Sequence, residues 1–290
     1  MKKVLSFDIG GTKIAYAVIA ENGEIISEIN KIETPATSVE ICEFFKQTIK
    51  QKYNDFDGVA FSSAGAVNNE GTAITSFVGN LPPEYNKTDF KSLTDKPILV
   101  ENDANSMAWA EYSLGAAQGS HNAIVVAIGT GIGSGIIVDG KLLKGKSGAA
   151  GEMHFPVDTG HKRRCQGCGM YDCFESFASG TGLKVSAQKV WGPDATTYTV
   201  IEGKKQGNAE ALRVFEDWQD YLVRGMIMLG NIFDPEKIVL SGSMAQFVEY
   251  DKVEKAVNDA ILTQPLQICP AHFANNAGMI GAGLLLLGKL

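Results

Sequence analysis

The chain has 290 residues, of which 44% are hydrophobic and 20% charged, as in a folded globular protein rather than a disordered one. Its formal net charge is −7, whereas a nucleic-acid-binding protein usually carries a basic face. Asp8 interrupts the first apolar stretch too early for a signal peptide, and the apolar run 277–287 is too short to span a bilayer. We therefore expect a cytoplasmic protein, long enough for two lobes, with no nucleic-acid or membrane partner.

Apolar periodicity predicts alternating strands and helices along the chain. In the first half we expect strands at 4–7, 14–19 and 24–32, a helix at 38–52, strands at 58–61 and 97–100, and a helix at 105–114. In the second half we expect strands at 124–128, 136–138 and 238–240, and helices at 209–233 and 278–287. Ser38 is the expected N-cap of the first helix. Small residues at 115–120 indicate a hinge or a domain boundary, and 139–180 reads as a long loop.

Two glycine-rich segments lie between β-like stretches. The first reads Asp8-Ile9-Gly10-Gly11-Thr12-Lys13, and the second reads Gly129-Thr130-Gly131-Ile132-Gly133-Ser134-Gly135. A Walker loop and a dinucleotide-binding fingerprint both run directly into a helix. Here apolar, β-favouring residues follow each segment instead, which excludes both kinds of nucleotide-binding motif. We expect two hairpins whose backbone N–H groups approach the phosphates of one nucleotide. For either segment alone, an ordinary hairpin without a ligand is the alternative.

Acidic residues follow two of the predicted strands. Asp8 ends the first strand, where its carboxylate could hold Mg²⁺ through water or could simply cap the turn. Asn102 and Asp103 lie between an apolar strand and a helix, the position where ligands bind in α/β folds. Asp103 is the predicted general base that takes the proton of an attacking hydroxyl, and Asn102 would position that hydroxyl. The alternative for Asp103 is a helix N-cap.

Three of the five cysteines lie close together in the long loop. Cys165, Cys168 and Cys173, with His154 upstream, form a Cys₃His set that suits tetrahedral zinc, and C-x₂-C is an ordinary ligand spacing. His161 is an alternative fourth ligand, and three buried thiols without a metal are the alternative for the whole set.

Two glutamates flank these cysteines. Glu152 could accept hydrogen bonds from two neighbouring sugar hydroxyls, although a surface glutamate is the alternative. Glu175 follows Cys173 by two residues, so a metal site would also fix its position. It is a candidate for contact with the substrate or for supporting the metal ligands.

Taken in order, these motifs resemble the ROK family of sugar kinases, within the actin and hexokinase ATPase superfamily. The matching pieces are 8–13, 79–82, 101–105, 129–135, 151–152, the cysteine cluster with 173–175, 178–180 and 276–282. The resemblance implies an α/β protein with the two-lobed actin-like ATPase (ribonuclease H-like) fold and a ligand cleft between the lobes. The lobes would be 1–115, with a helix at about 276–290 packing back on it, and a larger lobe 116–275 that carries the cysteine loop.

The resemblance also implies roles for individual residues. ATP would be bound by Gly10, Gly11, Thr12, Lys13, Gly129, Thr130, Gly131, Gly242 and Ser243, with Mg²⁺ held through water by Asp8. The sugar would be bound by Gly65, Asn80, Asn102, Asp103, Glu152, His154 and Glu175, with Asp103 as the catalytic base. A structural Zn²⁺ would be bound by His154, Cys165, Cys168 and Cys173.

Two spacings depart from the family pattern. The family usually reads Gly-Glu-x-Gly-His, whereas His154 follows Glu152 by only two residues. It also usually reads Cys-x-Cys-Gly, whereas two residues separate Cys165 from Cys168. The zinc site could therefore be rearranged, could use His161, or could be empty.

The implied activity is ATP-dependent phosphorylation of the primary 6-hydroxyl of a hexose or an N-acetylhexosamine by a homodimer. N-acetylmannosamine and glucose are the leading acceptors, and fructose and N-acetylglucosamine are the alternatives. A non-catalytic, sugar-sensing regulator is the alternative of a different class, but such relatives carry a helix-turn-helix unit for which the first strand, at Val4, leaves no room. A structural ATPase of the actin or chaperone type would lack the Glu-Asn-Asp motif and the cysteine loop.

Overall fold

A computed structural model describes residues 1–76 and 81–290. The chain divides into two compact units: Met1–Gly119, Gly135–Gly151 and His272–Leu290 form the first, and Ser120–Ser134 and Glu152–Ala271 form the second. The strands are β1 (Lys3–Ile9), β2 (Lys13–Ala20), β3 (Asn30–Glu33), β4 (Gly58–Ser63), β5 (Ile98–Asn102), β6 (Ala123–Ile128), β7 (Ile132–Val138), β8 (Lys141–Leu142), β9 (Lys237–Ser241) and β10 (Gln267–Pro270). The α-helices are α1 (Ser38–Gln51), α2 (Asp103–Leu114), α3 (Phe174–Ala178), α4 (Gly180–Trp191), α5 (Thr197–Lys205), α6 (Ala209–Phe233), α7 (Tyr250–Asn258) and α8 (Ala277–Leu287).

Both sheets have the same strand order. The first is β3-β2-β1-β4-β5, and the second, read from its other edge, is β8-β7-β6-β9-β10. In the first sheet β2 is antiparallel to both β1 and β3, and β4 runs parallel to both β1 and β5. In the second sheet β9 runs parallel to both β6 and β10. The predicted α/β class is therefore confirmed, and each sheet begins with two strands joined by a glycine turn.

The two glycine turns are shorter than the glycine-rich segments. The first glycine turn, Gly10–Thr12, joins the antiparallel strands β1 and β2, so the predicted hairpin is confirmed. The second glycine turn, Gly129–Gly131, joins β6 to β7, which begins at Ile132 rather than at the expected position 136. The strand starts early because Ile132 and Ser134 are buried at alternate positions, the two-residue period of a strand, and Gly133 lies between them.

The third predicted strand is also shorter than expected. Asn30–Glu33 forms the strand that pairs with β2 and Ile25 adds an isolated bridge to Ile19, whereas the sequence predicted a continuous strand over 24–32. The ladder is interrupted because the backbone N–H of Val18 donates to the side-chain Oγ of Ser27, at 2.9 Å, where a strand would offer a backbone carbonyl.

Helices cover both faces of the first sheet. Leu5 and Phe7 of β1 pack in a buried cluster with Phe45 of α1, and Phe7 and Phe61 stack with ring centroids 5.1 Å apart. Val4, on the opposite face of the same strand, packs with Leu286 of α8. Successive residues of β1, from Val4 to Phe7, are buried, as in a central strand that is covered on both faces.

The structure corrects two details of the predicted helices. The N-cap of α1 is Thr37 rather than Ser38, because Thr37 and Glu40 form a capping box in which each side chain accepts the backbone N–H of the other residue. The predicted bounds of α6 are confirmed. Of the apolar residues that recur along it, Phe215, Leu222, Met226 and Leu229 are buried, whereas Leu212 is 41% exposed. No helix in the described ranges is both long and apolar enough to cross a membrane.

Glu111 fixes two backbone segments of the first unit, each close to a point where the chain passes between the units. Its buried carboxylate accepts backbone N–H bonds from Ala116 at 2.9 Å, His272 at 2.9 and 3.0 Å, and Phe273 at 2.8 Å. Ala116 precedes the passage from Gly119 into the second unit, and His272 is the first residue after the return. One carboxylate therefore holds the chain against α2 near the first and the last of the four passages between the units.

Glu111→Ala is expected to lower the free energy of unfolding by about 2 kcal/mol or more, because three partly buried N–H donors would lose the buried carboxylate that accepts their hydrogen bonds. Urea denaturation measures the loss, with Ser113→Ala on the same helix as the matched control. A loss below about 1 kcal/mol, the mean for an ordinary substitution, would contradict this role.

Candidate functional site

The first glycine turn is held by its own strands and by the residue that follows β3. The backbone N–H of Gly10 donates to the carbonyl of Lys13 at 3.0 Å, which closes the turn. Thr34 donates its hydroxyl to the carbonyl of Gly10 at 2.6 Å and its backbone N–H to the carbonyl of Thr12 at 3.1 Å. Gly11, Thr12 and Lys13 are exposed, so the turn presents its backbone to solvent while its base is fixed. Sequence reasoning missed the part played by Thr34.

Asp8 lies in a confined position directly before this turn. Ser62 donates its hydroxyl to Oδ1 of Asp8 at 3.0 Å. A Cβ on Gly278, in the first turn of α8, would lie 2.6 Å from the same oxygen, so only glycine fits there. Burial raises the pKa of Asp8 from 3.8 to about 6, with the bond from Ser62 opposing that shift, the charge of Asp103 adding to it and that of Lys13 opposing it. Asp8 is thus a desolvated carboxylate, the kind of group that a bound cation would stabilise.

Asp8→Asn is expected to stabilise the ligand-free protein at neutral pH. A carboxyl whose pKa rises from 3.8 to about 6 on folding makes the folded state less stable as pH rises through this interval. Asparagine carries no charge, so the variant should exceed the wild type by about 2 kcal/mol at pH 7.5, and the difference should shrink towards pH 4.

Chemical denaturation at the two pH values measures this difference. Asp55→Asn, which changes an exposed aspartate of the same unit, is the control. A stability difference between Asp8→Asn and wild type that is the same at both pH values would contradict the shifted pKa.

Asn102 and Asp103 end β5 and begin α2. The structure makes Asn102 the N-cap, since its Oδ1 accepts the backbone N–H of Asn105 at 3.0 Å, so the N-cap alternative for Asp103 is wrong. The side-chain amide of Asn102 donates to the carbonyl of Gly65 at 3.1 Å, which brings three predicted sugar-binding residues together. Asp103, the first helical residue, is exposed, and its Oδ1 accepts the backbone N–H of Ala104 at 2.8 Å. A carboxylate in the first turn of a helix is stabilised in its charged form, which a base requires.

Glu101 supports this segment from below. Its buried carboxylate accepts the backbone N–H of Asn102 at 3.0 Å and the side-chain amide of Asn105 at 3.1 Å. Its other oxygen lies 2.6 Å from Nζ of Lys144. Sequence reasoning missed this ion pair, because nothing in the spacing of residues 101 and 144 signals a contact. Asn80, the remaining predicted sugar-binding residue of this region, lies outside the described residues.

The second glycine turn is held by the chain that follows α3. The backbone N–H of Gly180 donates to the carbonyl of Gly129 at 2.8 Å, and that of Thr181 to the carbonyl of Thr130 at 3.3 Å. Within the turn, Gly129 donates to Gly131 at 2.9 Å. Thr130 is exposed.

Gly242 and Ser243, the predicted adenosine-binding residues, lie beside the same turn. They follow β9, and the backbone N–H of the next residue, Met244, donates to the carbonyl of Ile128 at 2.9 Å. Ile128 is the last residue before the second glycine turn. The structure therefore brings together the predicted ATP-binding residues of the second unit, which follow the carboxyl ends of the neighbouring strands β6 and β9.

The four predicted metal ligands form a cluster in the second unit. The ligand atoms of His154, Cys165, Cys168 and Cys173 lie within 4.8 Å of one another. Sγ of Cys168 is 3.8 Å from Sγ of Cys173, which is also the separation of about 3.8 Å that two thiolates take at tetrahedral zinc. Nδ1 of His154 is buried without a hydrogen-bond partner, and Nε2 lies 3.4 Å from the carboxylate of Glu152. An orphaned imidazole nitrogen beside three thiols is the donor set that Zn²⁺ takes, so these residues fit the metal.

The altered cysteine spacing is accommodated by a tight hairpin. The backbone N–H of Cys165 donates to Met170 at 2.8 Å, and that of Gly169 donates back to Cys165 at 3.0 Å. Asp172, in the left-handed region at φ 55°, accepts the backbone N–H of Arg163 at 2.8 Å and closes the hairpin from the other side. The two residues between Cys165 and Cys168 thus fold into the turn, and the cysteines still converge.

His161 is not part of the cluster. Its Nε2 lies 3.5 Å from the carboxylate of Asp158, which also accepts hydrogen bonds from Tyr221 and Arg224 of α6. Among the described residues, the structure therefore places His154 with the three thiols and His161 beside Asp158.

Glu175 lies between the cysteine cluster and the second glycine turn. Its Oε1 accepts the thiol of Cys165 at 3.2 Å, and its Oε2 accepts the backbone N–H of Ile132 at 2.9 Å. A Cβ on Gly131 would lie 2.5 Å from Oε2, so the turn can approach the carboxylate only with glycine there. Glu152 is the more open of the two predicted sugar-binding glutamates, with 61% of its side chain exposed.

Comparison with known proteins identifies the family. A sequence model of the ROK family matches residues 4–289. The chain belongs to the ROK family. It is 31% identical to an N-acetylmannosamine kinase of Yersinia pestis over 98% of both chains, and 29% identical to a glucokinase of Streptomyces coelicolor over 97% of this chain and 96% of that one.

A solved ROK structure extends the comparison to the fold. The ROK-family glucokinase of Streptomyces griseus, solved in complex with glucose and AMPPNP, superposes with a TM-score of 0.78 at 29% identity over 98% of both chains. The family and the actin-like fold expected from the sequence are confirmed. Sugar kinase, the enzyme class expected from the sequence, is also the class of these three relatives.

Proposed function

We propose that this ROK-family protein transfers the γ-phosphoryl group of ATP to the primary 6-hydroxyl of a hexose or an N-acetylhexosamine, with N-acetylmannosamine and glucose as the leading acceptors. The observation that carries the proposal is the exposed carboxylate of Asp103, which begins α2 beside the Asn102–Gly65 contact, in the same unit as the first glycine turn. The activities of the relatives, an N-acetylmannosamine kinase and two glucokinases, support the same chemistry.

In this proposal Asp103 accepts the proton of the sugar hydroxyl as the hydroxyl oxygen attacks the γ-phosphorus in line. The bond from that phosphorus to the β–γ bridging oxygen breaks, and ADP leaves. Backbone N–H groups of the two glycine turns bind the phosphates, and Gly242 and Ser243 contact the adenosine. Asp8 would hold Mg²⁺ through water, and that ion would neutralise charge on the phosphate oxygens.

Sugar recognition is assigned to six residues of the chain. Gly65, Asn80, Asn102, Glu152, His154 and Glu175 are the proposed contacts. A structural Zn²⁺ would be bound by His154, Cys165, Cys168 and Cys173. It would hold the loop that carries Glu152 and the start of helix α3, which carries Glu175. We also propose that the chain acts as a cytoplasmic homodimer, which light scattering of the purified protein would test.

The test is a coupled assay of ADP production with glucose, N-acetylmannosamine, N-acetylglucosamine and fructose. We expect sugar-dependent turnover, with the highest kcat/KM for N-acetylmannosamine or glucose. If fructose or N-acetylglucosamine is preferred, the acceptor assignment is wrong. If a sugar binds but none stimulates ATP consumption, the protein is the sugar-sensing regulator of the alternative hypothesis.

A further inference from the structure

We propose that helix α3 and the carboxylate of Glu175 link the cysteine cluster to the second glycine turn, so that metal binding and nucleotide binding are thermodynamically coupled. The inference rests on the proposed function, because it takes the second glycine turn as a phosphate-binding element. Glu175 is here a positioning residue: it acts on the nucleotide through the backbone of the turn.

Helix α3 contacts the cluster at one end and the turn at the other. Cys173, a predicted metal ligand, is its N-cap residue, and the helix is only five residues long, Phe174–Ala178. Immediately after it, Gly180 donates to the carbonyl of Gly129 in the turn at 2.8 Å. A displacement of Cys173 therefore reaches the turn through a single helical turn of buried backbone.

Helix α3 is also packed against its neighbours along its length. Phe174 and Phe177 are buried, and Phe174 stacks on Phe155 with ring centroids 5.3 Å apart. Trp218 of α6 donates its indole N–H to the carbonyl of Ala178 at 2.8 Å. A packed element of this kind transmits a shift from one end to the other instead of absorbing it.

Glu175 adds a side-chain connection parallel to the backbone. Its Oε2 accepts the N–H of Ile132, the first residue after the turn, and lies against Gly131 without room for a side chain. A metal-bound Cys165 thiolate has no proton to donate to Oε1, so the coupling is assigned to the Ile132 bond and to the backbone of α3. The bond to Ile132 fixes the orientation of the adjoining peptide groups, whose N–H groups are the phosphate donors of the proposal.

The first experiment measures binding of Mg²⁺·AMPPNP by calorimetry to the metal-loaded and the chelator-treated protein. We expect removal of the metal to weaken nucleotide binding at least about fivefold, the lower end of typical coupling between two sites. In the metal-loaded protein, Glu175→Ala should weaken nucleotide binding by a similar factor. In this variant the chelator should then weaken nucleotide binding much less than it does in wild type.

Two matched variants separate positioning from a general disturbance of the helix. Glu175→Gln keeps an oxygen that can accept the N–H of Ile132, so it should restore most of the affinity and the coupling. Ser176→Ala removes a hydroxyl that bonds to the carbonyl of Cys173 at 2.7 Å, on the same helix but away from the turn, and should stay within about twofold of wild type.

The second experiment uses the reciprocity of coupling and needs no metal-free protein. If metal strengthens nucleotide binding, nucleotide must strengthen metal binding by the same factor. Transfer of metal to a chromogenic chelator should therefore reach an equilibrium about fivefold less favourable with saturating Mg²⁺·AMPPNP than without it in wild type, and the effect should be clearly smaller in Glu175→Ala. If the metal-free protein unfolds, nucleotide shifts this equilibrium through folding as well, and the difference between wild type and Glu175→Ala is then the measure of the coupling.

The outcomes distinguish the inference from the proposed function. If the loaded wild type binds no Mg²⁺·AMPPNP, the proposed function fails and the inference fails with it. If nucleotide binds but the chelator equilibrium does not respond to it, the inference alone is overturned. The same conclusion follows if Glu175→Ala keeps the full coupling of wild type.

Discussion

Asp103→Asn is expected to lower kcat by about three orders of magnitude while sugar affinity changes by less than about threefold. The carboxylate is the proposed acceptor of the hydroxyl proton, and loss of a general base costs about 10² to 10⁴ in rate. Asparagine has the same shape, and its Oδ1 can still accept the N–H of Ala104, so the start of α2 should survive. A coupled assay measures kcat, and calorimetry with the sugar alone measures its affinity.

The control for this prediction is Asp89→Asn, which changes another acidic residue of the first unit without touching Asn102 or Asp103. It should leave both kcat and sugar affinity at wild-type values. If Asp103→Asn keeps kcat within tenfold of wild type, Asp103 is not the base. If it loses sugar binding as strongly as turnover, the role of Asp103 is to bind the sugar rather than to take its proton.

Local patterns in the sequence sufficed to predict the parts of this fold that depend on local physics. The turns at Gly10 and Gly129 were predicted because glycine between two β-favouring runs is typical of a turn that joins two strands. The bounds of α6 were predicted because its apolar residues recur over 25 residues and Pro235 follows closely. Helices α4, α5 and α7 were missed, since they are short and their apolar residues are too few to stand out in the sequence.

The supporting contacts of the candidate site depend on tertiary structure and could not be read from spacing. Lys144 reaches Glu101 from 43 positions away, and Gly278 meets Asp8 from the far end of the chain. The choice between His154 and His161 was open in the sequence because both lie a short distance before the cysteines. In the structure His161 lies beside Asp158, whose carboxylate is bonded to Tyr221 of α6, whereas His154 lies beside the thiols. Sequence thus indicated the candidate reacting groups, and the structure shows what holds each of those it describes.

Removing the metal from the cysteine cluster is expected to cost several kcal/mol of stability. A metal that binds only the folded state stabilises it by RT ln(1 + [L]/Kd), about 4 kcal/mol at a thousandfold excess over the dissociation constant. Cys168→Ser should therefore purify with little zinc and unfold at a lower temperature than wild type. Elemental analysis and thermal unfolding, each with and without a chelator, are the measurements.

The chain supplies its own controls for this last prediction. Cys42 and Cys269 lie outside the cluster, so Cys42→Ser and Cys269→Ser should keep about one zinc per chain and respond to the chelator as wild type does. His154→Gln should lose the metal, whereas His161→Gln should retain it, because the structure places only the first of these imidazoles beside the thiols. The reverse pattern would mean that the inserted residue between Cys165 and Cys168 redirects the site to His161. Wild type that purifies without metal and ignores the chelator would show that this family member keeps the four side chains together by packing alone.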